Sequence, residues 1–398
     1  MNQLEKWICR EEGLEALTRK NLEDLQLRRL NGMLKRLRTR GGIYTSLPVC
    51  LDSLSQLRDL PFTTPEMLSQ NPGQFLVSSQ SEVSRVISGA TSGTTGLAKR
   101  VFYTAGDTEK TVGFFAAGIS EMLGKGEKCL IAFPFSGPFG LGDLIARAVE
   151  DLGAVPVRAG YGQSYREICD LVRKEQPETY IGFSVALLGM MRMYGDGFPI
   201  RRALLSGDAC PEGVMQELKK RMVLYPHYGS RETVLGGAVT CPAFEGMHLR
   251  ENHIIAEIID EHGRVLPDGE YGELVITTIG MEAMPLLRYR TGDYTRFFRE
   301  PCPCGGVTRR MDRVSRKEPG PWSMEQLDSL LFPIPGIVDF RAEWENQLCL
   351  TVRTLDDQTG EAIHRLCPEA ELTLVRPTPE DCPMYPGKRY VDVRREKK

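Results

Sequence analysis

The sequence predicts an α/β protein: a large, multilayer N-terminal domain of α/β sheets with a β-rich subdomain, followed by a small α+β C-terminal domain. Three observations carry that expectation. From Val83 onward, apolar strand-like runs, glycine turns and amphipathic helices alternate, as they do when helices pack on a sheet. AEIIDEHGRVLPDGEYGELVITT, from Ala256, reads as two strands joined by Gly and Pro-Asp-Gly turns. Around Arg309 to Pro321 (RRMDRVSRKEPGP) the text turns charged and then Pro/Gly-broken, which puts a boundary between residues 1–312 and 313–398.

Taken in order, Leu14, Leu17, Leu22, Leu25, Leu27, Leu30 and Leu34 recur among charges, so the first forty residues read as helix. GGIYTSLP ends that pattern. LPFTTPEML offers a turn, a Thr cap and a Pro near a helix start. CLIAFPF, GAVPVRA and ETYIGFS read as buried strands, with helices such as DLIARAVEDLG between them. After Pro321 come a helix (SMEQLDSLLF), two strands (GIVDFRAEW and QLCLTVR), a short helix and terminal strands.

Bulk composition narrows the function. With 398 residues, about two to three domains are expected. Fifty Lys and Arg nearly balance 53 Asp and Glu, a net charge of -3 that argues against a nucleic-acid surface. The best apolar run, Cys129 to Gly142, is too short and too broken by Pro and Gly to span a bilayer. MNQLEKWICREEG lacks the apolar core of a signal peptide. A cytoplasmic protein is expected, with neither nucleic acid nor membrane as partner. Its eleven scattered cysteines are then thiols or metal ligands.

Chemistry concentrates in Ser88 to Arg100, SGATSGTTGLAKR. Gly93 and Gly96 permit close backbone approach. Thr91, Ser92, Thr94 and Thr95 supply hydroxyls and Lys99 a cation, a set that suits a polyphosphate. On composition alone a Ser/Gly/Thr-rich surface turn fits equally well. No Gly-Lys pair is followed by Ser or Thr, so this is not a Walker loop.

SGTTGLAK resembles the phosphate-binding loop of the adenylate-forming enzymes. With RVISGATSGTTGLAKRVFYT and the upstream LDSLSQLRDLPFTTPEML, the chain is similar to their phenylacetate-CoA ligase branch. Ala98 departs from the Pro usual before the lysine. HYGSRETVLGG, from His227, resembles the family's next element; this implies Tyr228, Gly229 and Ser230 near the nucleotide and Glu232 as the Mg²⁺ ligand between ATP phosphates. Arg231 stands where the family has Ser or Thr, so either Ser230 or Arg231 meets the α-phosphate. AMPLLRYRTGDYTRF, from Ala283, resembles the ribose motif and implies that Asp293 accepts from both ribose hydroxyls. LLSGDAC resembles the adenine wall, with Ser206, Gly207 and Asp208, and Arg313 matches an arginine near the ribose and the hinge.

The closing segment MYPGKRYVDVRR resembles the branch's lid, and Lys388 matches the lysine that neutralises charge developing at the α-phosphorus. The resemblance therefore casts Lys99, Glu232 and Lys388 as catalytic. Phe135, Phe139, Tyr161, Phe183 and His227 fall where the branch builds its acyl pocket, which favours an aryl or arylacetic acid. Cys241, His248, Cys302 and Cys304 form a Cys₃His set able to close a structural Zn²⁺ site; four free side chains are the alternative.

The resemblance implies an acid:CoA ligase using ATP, Mg²⁺ and CoA, and a homodimer. Val314, Ser315 and Arg316 replace the usual hinge carboxylates, and the lid is trimmed. Two alternatives follow: delivery of the acyl group to a protein or amine, or a degenerate adenylate-binding protein without turnover.

Overall fold

Capping chemistry sets where the first helices begin. Asn2 accepts from the Glu5 N–H at the head of helix Gln3–Glu12, and Gly13 stops that helix in left-handed backbone at φ +63°. Thr18 and Asn21 then close a capping box that starts helix Arg19–Arg40. The first forty residues are thus two helices where the leucine pattern predicts one, because a glycine stop and a fresh cap outweigh continuous periodicity. Thr64 caps helix Pro65–Gln70 with proline in its first turn, as LPFTTPEML leads one to expect.

The computed structural model describes residues 1–89, 99–160, 162–318, 320–383 and 389–393. The chain forms two compact units, Met1–Glu121 with His227–Val314, and Met122–Pro226 with Ser315–Lys398.

The first unit holds the β-rich text. Strands Ile255–Ile259 and Gly272–Thr277 pair antiparallel as their turns predict, and Tyr289–Thr295 joins them. Met247–Leu249 lies between Ala238–Thr240 and Arg310–Met311 in a second antiparallel run. Val83–Gly89 and Lys99–Thr104 pair as a two-stranded ribbon. Leu34, Leu68, Phe75, Leu274, Leu286 and Phe297 are among the side chains buried in its core. Removing each from water stabilises the unit by roughly 1.5–3 kcal/mol.

In the second unit the strands Val155–Arg158, Lys128–Ala132, Thr179–Gly182, Arg202–Leu205 and the start of Val223–Tyr228 pair parallel in that spatial order. Helices Leu141–Asp151, Tyr165–Glu175, Ser184–Tyr194 and Glu212–Lys219 intervene along the chain. The segment beyond Ser315 adds helix Met324–Leu331 and a sheet ordered Glu371–Val375, Leu348–Thr354, Ile337–Trp344, Asp392–Val393. That sheet packs closely on helix Ser184–Tyr194. A Cβ at Gly189 would lie 2.9 Å from the Val338 carbonyl, and Tyr165 donates to Asp339 at 2.9 Å. No helix among the described residues is long and apolar enough to cross a membrane.

Candidate functional site

Three motifs meet in the first unit. Lys99 opens strand Lys99–Thr104, Glu232 sits in the 3₁₀ turn Arg231–Thr233, and Tyr289 begins strand Tyr289–Thr295. The Lys99 ammonium donates to Glu232 Oε1 at 2.7 Å and to the Tyr289 hydroxyl at 2.9 Å; that hydroxyl donates to the same Oε1 at 3.1 Å. Glu232 is 6 % exposed. Burial is the largest single influence and would raise its pKa, but Lys99, with help from a backbone N–H and the Arg231 charge, holds the carboxyl at about 2. Burial first, and then the Glu232 charge, push the Tyr289 phenol up, so it stays protonated as a donor. Buried Tyr103 braces the turn by donating to the Arg231 carbonyl at 2.5 Å.

Two further predicted site residues, Tyr228 and Asp293, meet although they are 65 positions apart in the chain. Tyr228 donates to Asp293 Oδ2 at 2.9 Å, and both are buried. A bulge that disturbs the strand register, with Gly292 at φ +72°, presents Asp293, whose own N–H is held by Thr291. Ser230 closes a capping box with Thr233, so its hydroxyl oxygen accepts from a backbone N–H. Any side chain at Gly229 would run into the Leu235 carbonyl. Arg313 donates its backbone N–H to Asp312. His227 packs against both Phe114 and Phe115, each ring centroid 5.6 Å away, and those two rings are 6.2 Å from one another, so the three form a triangular cluster. Burial lowers its pKa to about 3, so the imidazole is neutral.

In the second unit, the Ser206 N–H donates to the Gly182 carbonyl. Gly207 has φ +88°, and a Cβ there would come within 2.6 Å of the Phe183 ring and 3.0 Å of Phe133. Those rings meet edge-to-face at 5.0 Å. Asp208 accepts from the Arg389 N–H at 2.7 Å and pairs with Arg316 at 3.4 Å. Phe135 lies under the Arg158 guanidinium at 5.4 Å, and Phe139 is half-buried. Ser92, Gly93, Thr94, Thr95, Gly96, Tyr161 and Lys388 lie outside the described residues.

The Cys₃His set comes together in the first unit. Donor atoms of Cys241, His248, Cys302 and Cys304 lie within 4.8 Å of one another. Cys241 and Cys302 sulfurs are 3.6 Å apart, too far for a disulfide, and Cys304 Sγ is 3.4 Å from His248 Nε2. Tetrahedral zinc with ordinary bond lengths has S···S edges of about 3.8 Å and S···N edges of about 3.5 Å. The residues fit the ion in donor chemistry and in spacing. Burial lowers the His248 pKa to about 4, leaving a neutral ring. Burial raises the Cys304 thiol, but hydrogen bonds from Asn2, Cys302 and the Gly306 N–H win and leave it below its ordinary value.

Reading motifs one at a time misses Tyr289, Phe114 and Phe115. Tyr289 had a signal, since it stands four residues before Asp293 in the same motif. Phe114 and Phe115 sit on helix Ala105–Ile119, where they look like ordinary core.

Comparison with known proteins follows the same lines. The AMP-binding enzyme family matches residues 76–283. The phenylacetate-coenzyme A ligase of Escherichia coli (strain K12) is 30 % identical over 327 residues, 76 % of this chain and 73 % of that protein. The phenylacetate-coenzyme A ligase of Aromatoleum evansii is 31 % identical over 361 residues, 85 % and 78 % of the two chains. Among solved structures, 2-hydroxyisobutyryl-CoA ligase in its postadenylation state superposes with a TM-score of 0.75 at 16 % identity, covering 96 % of this chain and 91 % of that one. That likeness shows the fold: an α/β architecture shared with an acyl-CoA ligase.

Proposed function

The chain belongs to the AMP-binding enzymes, in their phenylacetate-CoA ligase-like branch, and from that premise we propose an AMP-forming acid:CoA ligase acting on a small aryl or arylacetic acid. The carboxylate attacks the α-phosphorus of ATP, a P–O bond to pyrophosphate breaks, and acyl-AMP forms. CoA thiolate then attacks the acyl carbon and AMP leaves with the electron pair of the C–O bond.

One observation carries the reading. Lys99, Glu232 and Tyr289, from three motifs spread over 190 positions, form a single hydrogen-bonded cluster in which Glu232 and Tyr289 are buried and Lys99 half-buried. No protein nucleophile is required; charge placement and orientation supply the catalysis. Lys99 offers its ammonium to the phosphates. Glu232, held ionised, is the carboxylate that would hold Mg²⁺, and the ion would supply charge neutralisation on the polyphosphate. Asp293 takes the ribose hydroxyls, with Tyr228 fixing its orientation. Ser206, Gly207 and Asp208 line the adenine, Arg313 approaches the ribose, and the loop through Ser92, Gly93, Thr94, Thr95 and Gly96 wraps the phosphates. Lys388, on a lid formed by residues 313–398, meets the charge developing at the α-phosphorus. Phe135, Phe139, Tyr161, Phe183 and His227 bound the acid. Neutral His227, packed beside two phenyl rings, favours an acid with an aromatic body over one with a charged side group.

Cys241, His248, Cys302 and Cys304 hold one structural zinc, their spacing being the support. All four donors are used, so the ion has no open position for catalysis. We place the enzyme in the cytoplasm on its sequence composition, and as a homodimer by analogy with its branch.

The test is pyrophosphate release across aryl, arylacetic and short alkyl acids, with and without CoA. Acid-dependent release, with AMP and a thioester appearing when CoA is added, is expected. Release indifferent to CoA would move the acceptor to an amine or carrier protein. Silence across the panel, with ATP still bound, would overturn catalysis.

A further inference from the structure

The zinc-type cluster is not closed by its own four residues alone. Glu5, on the first helix, is 1 % exposed, and its Oε1 accepts three hydrogen bonds: from the Val307 N–H at 2.6 Å, the Thr308 N–H at 2.7 Å and the Thr308 hydroxyl at 3.0 Å. The Thr308 hydroxyl in turn lies 2.8 Å from His248 Nδ1. Asn2, which caps the same helix, donates its amide to Cys304 Sγ at 3.5 Å, and the Gly306 N–H donates to that sulfur at 3.3 Å. The approach is tight enough to demand glycine: a Cβ at Gly306 would sit 2.8 Å from Asn2 Nδ2 and 2.9 Å from Glu5 Oε1.

Hydrogen counting gives this chain a direction. A carboxylate can only accept, so the single Thr308 hydroxyl hydrogen goes to Glu5. The Thr308 hydroxyl oxygen is then an acceptor and takes the hydrogen of His248 Nδ1 at 2.8 Å, which it shares with the Thr308 carbonyl at 3.2 Å. With its proton on Nδ1, His248 leaves the Nε2 lone pair facing Cys304 Sγ, 3.4 Å away. That is the tautomer a metal needs, and such outer partners commonly govern ligand orientation.

We propose that the first helix belongs to the metal centre: Glu5, acting through Thr308, positions His248 for metal binding, and Asn2 supports the Cys304 thiolate. Helix docking and metal loading are then one equilibrium, joining residues about 300 positions apart. This rests on the zinc reading above and adds to it residues that the Cys₃His pattern does not contain. Glu5, Asn2 and Thr308 are positioning residues; none would touch the ion.

The experiment uses the full chain, loaded with zinc and titrated with a chromophoric chelator. Thr308→Val removes the hydroxyl and keeps the backbone N–H on Glu5. It should weaken zinc affinity by about 10–100-fold, the usual effect of losing such a partner. Thr308→Ser, which restores the hydroxyl, should recover most of that loss. Hydrogen exchange over residues 2–12 should speed up when zinc is stripped from the wild type. Wild-type protein that holds no zinc under metal-replete conditions overturns the metal reading and the proposal together. Zinc bound equally well by wild type and Thr308→Val, with exchange in residues 2–12 unchanged on stripping, overturns the relay and leaves the metal site standing. Equal loss in the Val and Ser variants makes the effect one of packing and also overturns the relay. Metal-free melting curves of the three proteins check that each is folded.

Discussion

The pair of half-buried Lys99 and buried Glu232 allows a quantitative test. Glu232 is held at about 2 against an ordinary 4.5, and Lys99 is the main counterweight to burial. A depression of that size corresponds to about 3 kcal/mol favouring the ionised carboxyl in the folded state. Glu232→Gln leaves a partly buried ammonium facing an amide, and Lys99→Met leaves a buried carboxylate facing a thioether. Each should cost about 3 kcal/mol of stability in urea unfolding, within the range for breaking a buried pair. The double variant removes both charges, so it should cost about 3 kcal/mol less than the two singles added. The pH dependence has a defined sign. A carboxyl depressed in the folded state stabilises fully above pH 4.5, and that contribution is lost as pH falls from 4.5 toward about 2. Wild type should therefore lose stability more steeply than Glu232→Gln across that window. Strict additivity of the two single variants, with parallel acid profiles, would refute the coupling and with it the electrostatic account of the site.

Three further outcomes are expected. Asp293→Ala should weaken ATP binding by calorimetry more than Tyr228→Phe does, because the first removes the ribose acceptor itself and the second only one hydrogen bond that orients that carboxylate, worth about 1.5–3 kcal/mol; unchanged ATP affinity in Asp293→Ala would end the ribose assignment. Gly207→Val forces a side chain onto Phe183 and Phe133 at φ +88°. Overpacking and backbone strain together should cost about 3 kcal/mol, read as a drop of several degrees in Tm, and an unchanged melt would contradict the close approach. Lys388→Ala should cut acyl-adenylate formation while sparing ATP binding; a loss confined to the thioester step would place that lysine elsewhere.

Local chemistry was legible in the sequence where cause and effect lie within one turn. The Thr64–Pro65 helix start, the Ser323–Gln326 capping box and the hairpin around Pro267-Asp268-Gly269 each depend on neighbours within a few residues. Motif text also named Lys99, Glu232, Tyr228, Asp293 and the Cys₃His set, because phosphate, metal and ribose chemistry restrict residue type strongly. The split between the first two helices was present in Gly13 and Thr18. A run of leucines masked it, since periodicity reports a buried face and says little about backbone continuity.

Which groups touch was decided only by tertiary structure. Tyr289 looks like one more strand aromatic until it meets Glu232, 57 residues away in the chain. Phe114 and Phe115 look like core until His227 is found packed against both. Glu5 reads as a helix surface charge until Val307 and Thr308 bury it. By itself the sequence determined the kinds of donors, acceptors and turns available, since these are properties of side chains and short backbone segments. Their pairing required the folded chain, because a hydrogen bond across 300 residues leaves no periodic trace near either partner.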